Sequence, residues 1–274
     1  MSASARRRRP FLNGERPIAF AHRGGSALAP ENTLQAFRQA LALGIRFIET
    51  DLHMTRDGVI VVSHDERLER CTDGHGRIAE HRLAELRSFD AGYRFSPDGR
   101  SFPARGKGDC IPTLEEVVEL SPELHLNVEV KQRWPSMLRP LWDFIRTRGL
   151  EERFLVAAAQ DPLVREFRGV SGGRVATSAG RSEVLAFWAA ARAGLDRVLP
   201  VGYDALQVPV KAGILTVIEE GLLRAAHRRG LHVHAWTIDE QVEMDRLLDL
   251  GVDGIMSDRP DRLMRAISQR RAAT

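Results

Sequence analysis

Two residue pairs in this sequence could do chemistry together: Glu49-Thr50-Asp51 and Glu129-Val130-Lys131. Each closes an apolar run of β type, so both members of a pair leave the same face of a strand. Three carboxylates converging on one rim repel one another. Either they are ion-paired residues capping that rim, or a cation lies among them. The Glu-x-Lys on the neighbouring strand favours the cation. An all-oxygen donor set suits a hard ion, Mg²⁺ or Ca²⁺, better than Zn²⁺.

Two histidines also end strand-like runs, His22 after Ile18-Ala19-Phe20-Ala21 and His64 after Val61-Val62-Ser63. Imidazole titrates near working pH, so such a pair can act as general acid and general base. A single histidine is more often a hydrogen-bonded structural residue. His53, His75, His81, His125, His227, His232 and His234 are read that way, although His53 shares the face of Glu49 and Asp51. Arg23 precedes Gly24 and Gly25. A planar guanidinium beside a backbone that permits close approach suits a phosphate oxygen. Lys131 adds a second positive charge, which with a cation would offset charge developing on a phosphoryl group. A Schiff-base lysine in a barrel aldolase is the lesser reading of Lys131, because that chemistry has no use for three carboxylates.

These residues need a scaffold that brings strand ends together. Candidate strands are Ile18–His22, Ile45–Asp51, Leu126–Lys131, Phe154–Ala158, Arg174–Ser178, Ala205–Val208, Leu231–Thr237 and Asp253–Ser257. Helix-like stretches follow them: Asn32–Leu43, Leu114–Leu120, Met137–Arg148, Pro162–Arg168, Ser182–Ala193, Leu215–Arg229, Glu240–Leu250 and Pro260–Ser268. Several end at glycine, the residue favoured just past a helix C-terminus. Eight strand–helix alternations predict an α/β fold, a (β/α)₈ TIM barrel, with a doubly wound open sheet as the alternative. Strand starts lie 20 to 31 residues apart except between 45 and 126, which are 81 apart. A small insertion after strand 2, about residues 66–111, fills that gap. It follows a hairpin-like return, Val59–His64, after Asp57-Gly58. Loops after barrel strands form the active-site face.

The chain has 274 residues, 43% hydrophobic and 28% charged, near globular averages, which excludes a disordered or fibrous protein. We expect one barrel domain over residues 16–270 behind a disordered basic tail, 1–15. The net charge of +3 becomes −1 without Arg6, Arg7, Arg8 and Arg9. The body therefore carries no nucleic-acid signal. Cys71 and Cys110 form no CxxC pair, no apolar run can span a bilayer, and no apolar stretch follows the early arginines to make a secretory signal. The expectation is a cytoplasmic protein with no stable membrane insertion.

The motifs in order resemble the glycerophosphodiester phosphodiesterases. The likeness rests on His22-Arg23-Gly24, Pro30-Glu31-Asn32-Thr33, Glu49-Thr50-Asp51, His64-Asp65, Ile111-Pro112-Thr113-Leu114-Glu115-Glu116 and Glu129-Val130-Lys131. It continues through Trp236-Thr237 and Gly251-Val252-Asp253-Gly254-Ile255 into Ser257-Asp258-Arg259-Pro260. It runs from Ile18 to Ile267. The resemblance implies a (β/α)₈ barrel that hydrolyses glycerophosphodiesters, small molecules, to sn-glycerol 3-phosphate and an alcohol. It implies His22 and His64 as the acid–base pair, Glu49, Asp51 and Glu129 as ligands of one Mg²⁺ or Ca²⁺, Arg23 and Lys131 as phosphate contacts, and Trp236 on the glycerol side. Asn32 contacts the substrate, supports the site or caps a helix. The nucleophile is water or the substrate's own glycerol hydroxyl.

Where many members carry Ser-Phe after the fourth strand, this chain reads Ala157-Ala158-Ala159-Gln160-Asp161-Pro162. In the insertion, Tyr93, Phe95 and Phe102 contact the substrate or, the favoured reading, form its small core. The rival functions are a phospholipase-type phosphodiesterase acting on lysophospholipids and a non-catalytic phosphate-binding barrel. The insertion and the lack of a long exposed apolar segment argue against the first. The intact set of histidines and carboxylates argues against the second.

Overall fold

The computed structural model describes residues 9–14, 16–158 and 160–273. The chain runs β1 (Ile18–His22), α1 (Leu34–Ala42), β2 (Phe47–Met54), β3 (Ile60–Val62), α2 (Leu83–Leu86), α3 (Leu114–Val118), β4 (His125–Val130) and α4 (Leu138–Thr147). It continues with β5 (Phe154–Ala157), α5 (Asp161–Val170), β6 (Ala176–Thr177), α6 (Arg181–Arg192), β7 (Ala205–Val208), β8 (Lys211–Ala212) and β9 (Leu215–Thr216). Last come α7 (Glu220–Arg228), β10 (His232–Ala235), α8 (Gln241–Leu250), β11 (Gly254–Ser257) and α9 (Pro260–Ala273).

Eight strands pair in the order β6-β5-β4-β2-β1-β11-β10-β7, all parallel. The ends meet through a Ser178–Ala205 bridge and two backbone bonds, Ala179 N–H to Ala205 O and Asp204 N–H to Thr177 O, each 2.8 Å. The expected (β/α)₈ barrel is therefore the fold. Strand periodicity sends alternate residues inward. Ile18, Phe20, Leu155, Ala176, Ala205 and Met256 fill the floor. The intervening positions pack outward against the helices in two further clusters. Above the floor, Gln207 Nε2 donates to Asn127 Oδ1 at 3.0 Å and lies 3.2 Å from His234 Nδ1, a polar layer just beneath the mouth. Gly254 must lack a side chain here, since a Cβ would stand 2.9 Å from the Phe20 ring.

Three expectations are corrected. Residues 9–14 are not tail. Phe11 and Leu12 are buried in the floor cluster, and Phe11 meets Phe47 edge-on at 5.4 Å. Arg9 Nε donates to Asp204 Oδ1 at 2.9 Å. Two apolar side chains cover the open end of the barrel, and the run of arginines hides that signal. Arg6, Arg7 and Arg8 lie outside the described residues. The helix expected over Leu215–Arg229 begins only at Glu220. Residues 211–216 instead form the β8–β9 hairpin, where Gly213 takes φ +59° at the first turn position, as a type II′ turn requires. Finally, Tyr93, Phe95 and Phe102 do not build the core of the insertion. Val61, Leu68, Ile78, Leu86, Ala91 and Ile111 do. Tyr93 and Phe102 instead flank the Arg105 guanidinium, each ring centroid 4.1 Å away.

Candidate active site

Strand register assembles the mouth. β2 turns Glu49, Asp51 and His53 inward. His22 on β1 sits opposite Glu49, and Glu129 on β4 sits opposite Asp51. One carboxylate oxygen from each of Glu49, Asp51 and Glu129 falls within 4.8 Å of the others. Glu49 and Asp51 are almost fully buried. Burial, then the charge of Asp51, pushes Glu49 up to about 8. Lys131 Nζ bridges Asp51 at 3.1 Å and Glu129 at 2.9 Å. Burial opposes its charge, but the two carboxylates outweigh burial and raise its pKa. Even with Lys131 and Arg23 against Asp51, Glu49 is driven toward its protonated form, which marks a cluster still short of positive charge. Three close oxygen donors in that deficit fit a hard divalent cation.

His22 joins this cluster directly. Its Nδ1–H donates to Asp258 Oδ1 at 2.6 Å, while Nε2 faces Glu49 Oε2 at 3.6 Å. Burial works against its protonation, but Glu49 and Asp258 overcome it and hold the imidazole above its ordinary value. His64 follows β3, which the Ser63 N–H to Asp51 O bond (2.9 Å) ties to β2. Its Nδ1–H donates to Asp65 Oδ1 at 2.6 Å. The two histidines thus share one design: an aspartate takes Nδ1–H and fixes the tautomer that leaves Nε2 for another partner. His53 Nε2 lies 3.3 Å from the His64 carbonyl, and burial lowers its pKa, so a neutral ring can brace the His64 backbone.

Arg23 leaves β1 at φ +51°, its N–H held by Glu49 O at 2.9 Å. A non-glycine residue in that region stores strain of order 1–3 kcal/mol. Gly24 follows at φ +84°, where a Cβ would come within 2.8 Å of Phe37 and Ala36. Arg23 Nη1 donates to Glu31 Oε1 at 3.2 Å. Its buried Nε makes no hydrogen bond and stands 3.6 Å from Asp51. Asn32 also adopts a left-handed conformation, φ +57°. It is no cap, since Thr33 caps α1 by accepting from Ala36 N at 3.2 Å. Instead Asn32 Nδ2 donates to Asp51 Oδ2 at 3.2 Å, and Thr50 Oγ1 donates to Asn32 Oδ1 at 2.7 Å.

The structure therefore brings His22, Arg23, Glu49, Asp51, Glu129 and Lys131 into one bonded cluster. His64 and Trp236 stand on the same rim without a recorded contact to the three acids. Trp236 follows β10, its N–H on Val208 O at 3.3 Å, and is 43% exposed. Sequence reasoning assigned no role to Asp258, Glu31, Asp65 or Arg70. Asp258 carried a usable signal, an acid one residue beyond a barrel strand. Arg70 carried none, because its partner Glu31 lies 39 residues away in the chain: it bonds Glu31 at 2.7 and 2.8 Å and Asp65 Oδ2 through Nε.

Comparison with known proteins agrees with this geometry. The chain is 30% identical over 255 residues to the glycerophosphodiester phosphodiesterase of Caldanaerobacter subterraneus, covering 91% of this chain and 97% of that protein. It is 27% identical to mouse lysophospholipase D GDPD1, covering 89% and 83%. A solved Oleispira antarctica phosphodiesterase in complex with its product sn-glycerol-3-phosphate superposes with TM-score 0.73 at 26% identity, over 92% of this chain and 97% of that one. The profile of the glycerophosphoryl diester phosphodiesterase family matches residues 22–262, and the chain belongs to that family.

Proposed function

We propose that this protein hydrolyses glycerophosphodiesters to sn-glycerol 3-phosphate and an alcohol, with Glu49, Asp51 and Glu129 holding one Mg²⁺ or Ca²⁺. The observation that carries the reading is the acid trio with His22 against it and the unsatisfied Arg23 Nε facing the same acids. Held by these three carboxylates, a dication would supply Lewis-acid stabilisation of the negative charge that builds on the phosphoryl oxygens. Arg23 Nε and Lys131 Nζ donate to the phosphate oxygens and orient the ester. One histidine Nε2 takes the proton of the attacking hydroxyl, either water, which gives sn-glycerol 3-phosphate directly, or the glycerol's own hydroxyl, which gives a cyclic phosphate that water then opens with the two histidine roles reversed. The other gives a proton to the departing alkoxide as the P–O bond breaks. Asp258 and Asp65 keep each ring turned for that exchange. Trp236 flanks the glycerol.

The free thiols of Cys71 and Cys110 suit a cytoplasmic setting, and among the described residues no helix is long and apolar enough to cross a membrane. The test is glycerophosphocholine hydrolysis by His22→Ala, His64→Ala and Glu129→Ala. Each histidine variant is expected to lose ~10²–10⁴-fold in kcat. Glu129→Ala is expected to require far more divalent cation. Near-wild-type turnover in these three variants would end the assignment.

A further inference from the structure

The barrel mouth carries apolar side chains that the hydrolytic site does not use. Ile214, at the tip of the β8–β9 hairpin, is 99% exposed, Val242 at the start of α8 is 82% exposed, and Trp134 after β4 is 79% exposed. Leu215, beside Ile214, is half exposed. These residues follow β7, β10 and β4. In a closed parallel barrel the segments after the strands all leave by the same end, here the end bearing the acid trio. The hairpin holds its tip outward through paired backbone at Lys211–Thr216 and Ala212–Leu215.

The charges beside these residues that make no salt bridge are mostly positive. Arg133 after β4, Arg181 at the start of α6 and Lys211 in β8 are exposed and make no salt bridge among the described residues. Of the acids in the segments after β4, β6, β7 and β10, Glu219 pairs with Arg192 and Glu183 with Arg168. Asp239 accepts from Ser257 Oγ and Asp258 N, Asp161 after β5 accepts from Ser182 N, and Glu243, which Lys211 also faces, pairs with Arg246, so that among the described residues of these segments near the rim Glu240 is the exposed acid without an ion pair. Exposed Ile and Trp among unpaired cations match an interface of acyl chains beneath anionic headgroups. A second copy of this chain matches poorly. A two-fold contact would set Arg133, Arg181 and Lys211 against the same cations.

We propose that this half of the barrel mouth docks reversibly on an anionic phospholipid surface, with Ile214 and Trp134 entering the interface and Arg133, Arg181 and Lys211 on the headgroup phosphates. Docking points the acid trio at the lipid. It needs no turnover, so it stands or falls apart from the proposed reaction.

The experiment is co-sedimentation of the full chain with vesicles of equimolar phosphatidylcholine and phosphatidylglycerol, and with phosphatidylcholine alone, at low and high salt. The wild type is expected to sediment with the anionic vesicles and to be released by salt. Ile214→Asp is expected to weaken partitioning about tenfold. Arg133→Glu with Lys211→Glu is expected to remove the preference for phosphatidylglycerol. Unchanged hydrolysis of water-soluble glycerophosphocholine by Ile214→Asp would show an intact barrel. Three outcomes overturn the proposal. The wild type stays in the supernatant at low salt. Ile214→Asp sediments like the wild type, which would assign binding to the N-terminal arginines. Or the vesicles bind nothing while Ile214→Asp dissolves a dimer, which would make the patch a contact between copies.

Discussion

Replacing Arg70 with methionine removes a guanidinium that no part of the proposed chemistry touches. Yet Arg70 ties together two groups that do. Its two Nη atoms hold Glu31, which in turn holds Arg23 at 3.2 Å. Its Nε holds Asp65, which takes the Nδ1–H of His64 at 2.6 Å. The Arg70 contacts hold the Glu31 and Asp65 carboxyls below their usual range against the opposing effect of burial. The Arg70 side chain is 46% exposed, so these pairs are screened, and the loss of fold stability should be only ~0–1 kcal/mol. Catalysis should suffer more. A histidine free to turn forfeits part of the ~10²–10⁴-fold that acid–base catalysis supplies, and a misplacement of about 1 Å can itself cost ~10²-fold. We predict that Arg70→Met lowers kcat about 10²-fold, ~2.7 kcal/mol of barrier, with KM raised through the loosened Arg23. Arg70→Lys should recover little, because one ammonium cannot bond both carboxylates as the fork does. In a His64→Ala background the same change should act only through Arg23 and cost far less in kcat. The assay is steady-state hydrolysis of glycerophosphocholine across this double-mutant cycle. Wild-type kcat in Arg70→Met, or full additivity with His64→Ala, would refute the reasoning.

Other outcomes follow from the same contacts. Asp258→Asn should lower kcat by about 10²-fold or more with little change in melting temperature, since the amide favours the wrong His22 tautomer; an unchanged kcat would remove Asp258 from the site. Phe11→Ala should cost ~3–5 kcal/mol in urea unfolding, because Phe11 is 1% exposed in the barrel floor; no loss would return residues 9–14 to a tail. Burial, with help from Arg16, lowers His232 to about 4, from 6.5. The unfolded chain therefore binds more protons between those values, and the stability from neutral His232 is complete above pH 6.5 and lost as pH falls toward 4. Between pH 7.5 and 5.0 this group should cost about 2 kcal/mol, and His232→Gln should shrink the acid loss by that amount in urea titrations at the two pH values.

The parts of this molecule that were legible in its sequence are those that depend on strand parity. Glu49 and Asp51 share a face because they are two apart on one strand, and β1 and β7 begin and end where the apolar runs do. Register alone then brings His22 and Glu129 to them. What escaped depends on partners far away in the chain. Arg70 gains its meaning from Glu31, and Phe11 from a barrel opening that exists only after all eight strands close. The β8–β9 hairpin escaped for another reason. Leu215 to Arg229 has helical spacing, but Gly213 and the β-branched Ile214, Thr216, Val217 and Ile218 favour a turn and extended backbone, which delays α7 to Glu220.

The most direct test of the central claim follows the products of glycerophosphocholine by ³¹P NMR with chelator-treated enzyme, before and after adding Mg²⁺ or Ca²⁺. The account predicts no turnover in the stripped protein, and sn-glycerol 3-phosphate with free choline once the dication is returned. Full turnover without the metal, or phosphocholine as the phosphorylated product, would contradict it.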